Sequence, residues 1–217
     1  MVHAAASSSA SAKHLQIIAI EQVGSDCVKI QSDTAPVFFM RLAYLESIPP
    51  ERVCAGSSFS EDEGEELLSA GLAFAAERKA SEYLARAEQS RAGLERKLLQ
   101  KGMEKGAVSR ALDYLEGKGY LSDRRFAESW LRTHTLTKAQ GRSRLLQELL
   151  SRGVSRPVAL DALEEFFCEH SEEELCAQAL EKSIRAGRSG DKLLRYLLAS
   201  GFSYRQIKEA LSARKTR

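Results

Sequence analysis

The residues of this chain that could act as nucleophiles, bases or metal ligands are few and scattered. Its four histidines do not cluster with its four cysteines, which are Cys27, Cys54, Cys168 and Cys176. Zinc sites use closely spaced ligand pairs, and no C-x-x-C pair is present, so we expect no metal ion. The cysteines are predicted to be buried free thiols in a reducing cytoplasm.

Catalytic motifs are also missing from the sequence. It contains no glycine-rich phosphate loop, no nucleophile elbow and no H-E-x-x-H motif. His134 lies near the end of a predicted helix, beside Arg132 and Lys138, and is interpreted as a surface histidine rather than a general base. The acidic segment Asp161–Glu181 is interpreted as a solvated face rather than a metal cluster. We therefore predict a protein that has neither enzymatic activity nor a cofactor.

Charge is the remaining chemical signal, because it is unevenly distributed along the chain. The net charge is only +2, but residues 1–75 carry 4 basic and 10 acidic side chains, whereas residues 76–157 carry 18 basic and 10 acidic. Asp161–Glu181 has eight acids and no base, and Lys182–Arg217 has ten bases and two acids. Separate acidic and basic regions are typical of a protein whose partner is charged and polymeric.

Twelve basic residues are predicted to contact that partner, because they lie along or just after predicted helices. They are Lys97, Lys101, Arg124, Arg125, Arg132, Lys138, Arg142, Arg144, Arg152, Arg188, Lys192 and Arg195. On a shared surface, these cations would attract the phosphates or carboxylates of an acidic or nucleic-acid-containing partner. The alternative is ordinary surface charge that acidic neighbours balance.

Residues 14–73 are predicted to form a small β-structure followed by a helix. The residues before them, 1–13, are mostly Ala and Ser, which is typical of a disordered tail rather than a signal peptide. The β-branched run Leu15–Ile20 and the apolar run Val37–Met40 predict a hairpin or a three-stranded sheet. A capping box at Ser60–Glu63 predicts that a helix begins there.

An internal repeat organises the rest of the chain. Arg144–Leu163 aligns without a gap on Lys192–Leu211, at an offset of 48, with eight identities in twenty positions. A weaker third copy lies upstream at an offset of 51, and a further helical stretch precedes each copy. We therefore predict a mainly α protein of three tandem three-helix repeats in an elongated, curved array. The predicted repeats span residues 74–121, 122–169 and 170–217.

Each repeat has a glycine directly after a leucine-rich helix. These glycines are predicted to adopt a left-handed conformation that ends the helix, and they are Gly102, Gly153 and Gly201. Ser155 and Ser203 are predicted to cap the helix that follows. Phe126 and Trp130 are interpreted as core residues rather than as platforms for a nucleic-acid base.

Three segments of the middle repeat resemble the bacterial RecX family of regulatory proteins. These segments are Gly119–Ala127, with the sequence GYLSDRRFA, then Gly141–Leu145 and Glu148–Val154. Upstream, Lys79–Arg86 and Leu98–Gly102 resemble the start of the first repeat of that family.

This resemblance implies a cytoplasmic regulator of homologous recombination, DNA repair and the SOS response. Members of the family bind the RecA–DNA filament in its helical groove, and they usually inhibit its ATPase and strand-exchange activities. They have no catalytic activity of their own. We therefore expect RecA as the partner, weak sequence-independent binding to DNA, and a monomer that does not contact membranes.

Two other functions are compatible with the residues. The helix–Gly–Ser–helix segments resemble helix-turn-helix units, which place their second helix in the major groove of DNA. In the middle repeat that helix carries acids that phosphates would repel, namely Asp161, Glu164 and Glu165. In the last repeat it carries more compatible residues, namely Tyr204, Arg205 and Lys208. The third hypothesis is a helical scaffold for another protein.

Overall fold

A computed structural model describes residues 14–215, so the predicted tail at residues 1–13 lies outside the described residues. In the described range, four short strands precede nine α-helices. The strands are β1 (Leu15–Gln22), β2 (Cys27–Ser32), β3 (Phe38–Arg41) and β4 (Ser58–Phe59). The helices are α1 (Glu61–Leu84), α2 (Arg91–Gln100), α3 (Lys105–Gly117), α4 (Asp123–Thr137), α5 (Arg142–Ser151), α6 (Arg156–Glu169), α7 (Glu172–Arg185), α8 (Gly190–Ala199) and α9 (Tyr204–Lys215). The predicted class, three-helix repeats after a small N-terminal sheet, is confirmed.

The sheet is antiparallel, with the strand order β3-β2-β1-β4. Sequence predicted three strands at most, and the fourth was missed because β4 has only two residues. Ile17, Ile30, Met40 and Phe59 point into a core that α1 closes with Leu67. Burial of this apolar face holds the sheet to the helix.

Helix α1 begins at the predicted capping box. The Ser60 amide donates to Glu63 Oε2 over 3.0 Å, and the Glu63 amide donates to Ser60 Oγ over 3.3 Å. The helix then runs for 24 residues, so the predicted repeat boundary at residue 74 falls inside it. The chain divides into two compact units. One contains the residues up to Ser81 with Leu98–Leu115, and the other contains Glu82–Lys97 with the residues from Glu116 onward.

A buried ion pair fastens the sheet to α1 in the first unit. The Arg41 guanidinium donates to both carboxylate oxygens of Glu77, over 2.8 and 2.5 Å, and to Asp26 over 2.5 Å. The hydrogen bond with Glu77 raises the pKa of Arg41. The Tyr44 hydroxyl also donates to Glu77, and burial raises the pKa of Tyr44. These charges are satisfied within the unit and are not offered to a partner.

The predicted helix ends are confirmed at all three glycines. Gly102, Gly153 and Gly201 have φ angles of +77°, +84° and +93°. Ser203 caps α9, because it accepts from the Gln206 amide over 3.3 Å. Ser155 occupies the N-cap position of α6, as predicted, but its side chain makes no capping hydrogen bond. Pro157, at the second position of that helix, has no amide hydrogen to donate.

The second helices of the repeats, α2, α5 and α8, meet end to end. Where α8 meets α5, the Gly141 amide donates to the Ser200 carbonyl over 2.9 Å, and the Ser143 hydroxyl donates to the Gly201 carbonyl over 2.9 Å. The Arg142 amide donates to Glu172 Oε1 over 2.9 Å. The free carbonyls that end α8 thus satisfy donors that begin α5.

The meeting of α5 with the N-terminus of α2 repeats this arrangement. The Ser90 hydroxyl donates to the Arg152 carbonyl over 2.8 Å, and the Arg91 amide donates to Asp123 Oδ1 over 2.7 Å. At both contacts, which we call the joints, the negative end of one helix dipole meets the positive end of another. In each joint, a carboxylate at the start of the following repeat's first helix binds the same helix N-terminus.

Glycine is required at the joints for space as well as for backbone conformation. A Cβ atom added to Gly141 would lie 2.4 Å from the Gly201 carbonyl oxygen. One added to Gly153 would lie 2.2 Å from the Ala92 Cβ, whereas one added to Gly102 would meet nothing within 4 Å. Glycine is therefore required at position 102 only for its positive φ angle. At position 153 it is also required because any side chain would overlap Ala92.

We predict that Gly153→Ala lowers the free energy of unfolding by about 3 kcal/mol, because it combines left-handed strain with overpacking. The control Gly102→Ala should cost about 1 kcal/mol, from the strain alone. Adding Ala92→Gly to Gly153→Ala should recover part of the loss in urea denaturation. Equal costs for the two alanine variants, or strictly additive costs in the double variant, would contradict the joint geometry.

Candidate partner-binding surface

The second helices and the residues beside them carry a set of basic side chains, which we call the second-helix stripe. It contains Lys97 on α2, Arg144 and Arg152 on and after α5, and Arg188, Lys192 and Arg195 on and before α8. Arg144 and Lys192 occupy equivalent positions of their repeats, and the joints place these helices end to end. The structure therefore brings six of the twelve predicted residues onto one continuous element.

The middle of the stripe is a fixed cluster around one carboxylate. Glu148 accepts from Arg144 Nη2 through Oε1 and from Arg152 Nη1 through Oε2, each over 2.7 Å. The hydrogen bond with Arg152 lowers the pKa of Glu148 most, and Arg144 lowers it further. Two guanidinium groups share one anion, so the cluster keeps a positive charge in a defined geometry.

The Trp130 ring packs against the Arg152 side chain of this cluster. The Arg152 guanidinium lies 4.5 Å from the centre of the indole ring, and the His134 ring stacks on the indole at 4.2 Å. His134 Nε2 also lies 2.8 Å from Gln140 Oε1. His134 is thus a partly exposed histidine that is held in a stack. Trp130 packs against the core, as predicted, and it positions Arg152.

Among residues 14–215, the cations at the two ends of the stripe have no salt bridge. Lys192 is exposed, and Arg195 donates to the backbone carbonyl of Asp191 over 3.4 Å. Arg188 lies over the Tyr196 ring at 4.3 Å. Lys97 donates to the Gln89 amide oxygen over 2.6 Å and lies over the Tyr83 ring at 5.2 Å. Aromatic and amide contacts orient these groups but leave their charge in place.

The other six predicted residues do not belong to the stripe. Arg124 pairs with Glu128 and Glu165, and Arg125 pairs with Glu88, so acidic neighbours balance these two charges. Arg142 lies over the Phe167 ring at 4.6 Å. The remaining three are exposed, without a salt bridge to a described residue, and they are Lys101, Arg132 and Lys138.

The third helices differ in charge between the last two repeats. Helix α6 exposes four acids, namely Asp161, Glu164, Glu165 and Glu169. Helix α9 exposes Tyr204, Arg205 and Lys208, and Arg205 pairs only loosely with Glu209 over 3.4 Å. An element that enters a DNA groove must tolerate phosphates on both sides, so α9 is compatible with that role and α6 is not.

Sequence reasoning missed the residues that build the joints. Asp123 was given no role of its own and Glu172 was assigned to a solvated acidic face, although each follows a serine cap, Ser122 or Ser171. That shared Ser-acid start, in consecutive repeats, was the available signal. Their long-range bonds to Arg91 and Arg142 could not be read from local sequence.

The cysteines are only partly as predicted. Cys176 is buried, and burial raises its pKa to about 11. Cys54 and Cys168 are exposed, so the expectation of four buried thiols is wrong. Among residues 14–215, no helix is long and apolar enough to cross a membrane.

Comparison with known proteins relates this chain to one family. The sequence model of the RecX second three-helix domain matches residues 122–163, which span α4, α5 and most of α6. A regulatory protein RecX from Treponema pallidum (strain Nichols) is 39% identical over 139 residues, or 64% of this chain and 85% of the relative. The regulatory protein RecX of Chromohalobacter salexigens is 34% identical over 133 residues, or 59% of this chain and 86% of the relative.

Solved structures of that family have the same fold. A crystal structure of a regulatory protein RecX superposes with a TM-score of 0.69 at 23% identity, covering 90% of this chain and 99% of the other. RecX from Lactobacillus salivarius superposes with a TM-score of 0.57 at 23% identity, covering 67% of this chain and 98% of the other.

We predict that Glu148→Gln removes an acid-sensitive contribution to stability. The pKa of Glu148 is lowered from 4.5 in the folded state, so its contribution is present above that pH and is lost as the pH falls through the folded value. At neutral pH the substitution should cost about 1 kcal/mol, since the arginine partners are partly exposed.

The measurement is the free energy of unfolding of both proteins between pH 7 and acidic pH. The difference between them should shrink below pH 4.5. Glu164→Gln, which removes an exposed carboxylate from α6, serves as the control and should change little at any pH. A constant difference across the range would show that Glu148 is not held by the arginines.

Proposed function

Because this chain belongs to the RecX family of regulatory proteins, we propose that it regulates recombination and DNA repair by binding the RecA–DNA filament. It lowers the ATPase and strand-exchange activities of that filament, without catalysis of its own. The second-helix stripe is the observation that carries this proposal.

The stripe supports filament binding because its charges recur along one line of helices. Each second helix has ten residues and is therefore about 15 Å long, at 1.5 Å per residue. At each joint, hydrogen bonds connect the end of one second helix to the start of another. A filament of protein and DNA offers acidic side chains and phosphates at repeating intervals. Contacts of Lys97, Arg144 and Lys192 with successive groups would then add together.

Many moderate ionic contacts imply strong dependence on salt. Exposed cations such as Lys192 and Arg195 contribute through counterion release and long-range attraction, both of which weaken as ionic strength rises. Arg144 and Arg152 are held by Glu148 and Trp130, so little side-chain entropy is lost when they bind. The ends of the stripe therefore attract the filament, and its centre fixes the position of binding.

Inhibition follows if binding favours one state of the filament. A ligand shifts an equilibrium only by its different affinities for the two states. A stripe fixed by joints matches one spacing of filament subunits, so it would oppose the changes in spacing that accompany hydrolysis and subunit exchange. This rigidity distinguishes the proposed mechanism from simple charge neutralisation.

The second candidate function is direct DNA binding through α9. It is favoured by the exposed side chains of Tyr204, Arg205 and Lys208 on the helix that follows the Gly201 turn. This arrangement resembles a recognition helix after a tight turn. The third candidate is a scaffold for an unrelated protein, and it predicts that the chain has no effect on RecA.

Paired substitutions in the last repeat separate these candidates. Lys192→Gln with Arg195→Gln removes two cations from the stripe, and Arg205→Gln with Lys208→Gln removes two from α9. We expect the α8 pair to raise the concentration for half-inhibition of RecA ATPase on the order of tenfold, because two ionic contacts are lost. The slope of log affinity against log salt should fall by about 2.

The α9 pair is the matched control and should inhibit like the wild type. Loss of inhibition with the α9 pair alone, together with loss of duplex DNA binding, would favour the DNA-binding candidate. If the folded wild-type protein has no effect on ATP hydrolysis or strand exchange, the proposal that it binds and regulates the RecA–DNA filament is wrong. A scaffold for an unrelated protein would then be the remaining candidate.

A further inference from the structure

The Trp130 ring, against which Arg152 packs, is itself held by a second ring. His134 lies one turn further along α4 and stacks on the indole, with ring centres 4.2 Å apart and an angle of 21° between the planes. Residues four apart share one face of a helix, so this spacing brings the two rings together. The indole therefore has the Arg152 guanidinium as one neighbour, at 4.5 Å, and the imidazole as another.

Gln140 fixes the His134 ring in turn. Gln140 Oε1 lies 2.8 Å from His134 Nε2, and because an amide oxygen only accepts, the imidazole is the donor. Gln140 directly precedes Gly141, whose amide donates to the Ser200 carbonyl over 2.9 Å. The support of Trp130 is thus anchored at the joint where α8 meets α5.

Arg152 is anchored at the other joint, where α5 meets α2. Its carbonyl accepts from the Ser90 hydroxyl over 2.8 Å, and its guanidinium donates to Glu148 Oε2 over 2.7 Å. The Arg152 side chain nevertheless remains 34% exposed. Its charge is therefore accessible to a partner, while its contacts with Glu148 and Trp130 define where that charge lies.

The last repeat lacks this arrangement of rings. The serine caps of α4 and α7 lie 49 residues apart, and at the same offset Trp130 corresponds to Ala179 and His134 to Ser183. Neither residue of α7 carries a ring, so α7 cannot support an arginine by stacking at these positions. A cation that a stacked pair of rings holds thus distinguishes the middle repeat from the last.

We propose that His134 is a positioning residue for partner binding, which holds Trp130 and, through it, Arg152 in the geometry that the partner meets. This inference rests on the proposed function, since it takes the RecA–DNA filament as the partner. A side chain that is already held loses little entropy on binding, so its contact contributes more to affinity. The middle repeat then fixes the position of the chain on the filament, while the exposed cations of the last repeat attract it.

A purely structural role is the alternative, because Trp130 also packs against the core. The two roles differ in how they depend on Arg152. A positioning residue affects binding only while the Arg152 side chain is present, whereas a residue that only stabilises the fold affects binding with or without it.

The first measurement needs no partner, because Trp130 is the only tryptophan of the chain and its emission reports on the indole. His134→Ala uncovers one face of the indole, so acrylamide should quench the emission more strongly than in the wild type. His134→Phe keeps a ring on the indole and should restore most of the protection. Thr133→Ala, at the exposed neighbouring position, should leave the quenching unchanged.

The second measurement is the inhibition of RecA ATPase in a double-mutant cycle. His134→Ala should raise the concentration for half-inhibition about fivefold, the size of one cation–π contact, and His134→Phe should restore most of the loss. In an Arg152→Gln background, His134→Ala should have no further effect, because the group through which it acts is gone.

Equal losses with and without the Arg152 side chain, or unchanged quenching in His134→Ala, would overturn the proposal. A wild-type chain that does not inhibit RecA would instead contradict the proposed function and, with it, the role of His134 in binding. The quenching series tests the support of Trp130 by His134 independently of that outcome.

Discussion

Close contact between helix ends is the constraint on which the repeat structure depends. At each joint, carbonyl groups that end one second helix accept hydrogen bonds from groups that begin another, and a carboxylate from the next repeat binds the same N-terminus. Helix ends normally leave such groups to water or to side-chain caps. Gly141 and Gly153 make the contact close enough, because an added Cβ atom would overlap the facing residue at either position.

The joints also link the three helices that carry the basic side chains. Charges on separate short helices would be independent of one another, whereas these helices share hydrogen bonds at their ends. Within this set, Glu148 and Trp130 restrain Arg144 and Arg152, whereas Lys192 is exposed. The set thus combines restrained cations, which would fix the position of a bound partner, with exposed cations, which would attract it over a longer range.

Local patterns were sufficient for the helices, the capping box at Ser60 and the left-handed turns at Gly102, Gly153 and Gly201. Each of these depends on residues that are adjacent in sequence. Helix α1 continues through residue 74 and packs on the sheet, which is a tertiary effect. Ser155 occupies the N-cap position of α6 without a side-chain capping bond. A local pattern of hydrophobic residues reveals neither feature.

The candidate site was less accessible to sequence reasoning than the fold. The basic residues could be identified by type, but whether a cation has a carboxylate neighbour depends on contacts across the fold. Arg124 and Arg125 find such neighbours on Glu165 and Glu88, which are 41 and 37 residues away in sequence. Lys192, which is also a cation in the first turn of a helix, has no salt bridge to a residue that the structure describes.

The most direct test of the central claim is lysine reactivity in the bound state. The protein, free or bound to RecA–single-stranded DNA filaments, would be labelled with an amine-reactive reagent and mapped by mass spectrometry. The second-helix stripe predicts that Lys97 and Lys192 lose reactivity on binding, whereas Lys208 on α9 keeps it. Protection of Lys208, with Lys97 and Lys192 still reactive, would contradict the claim that the second helices bind the filament.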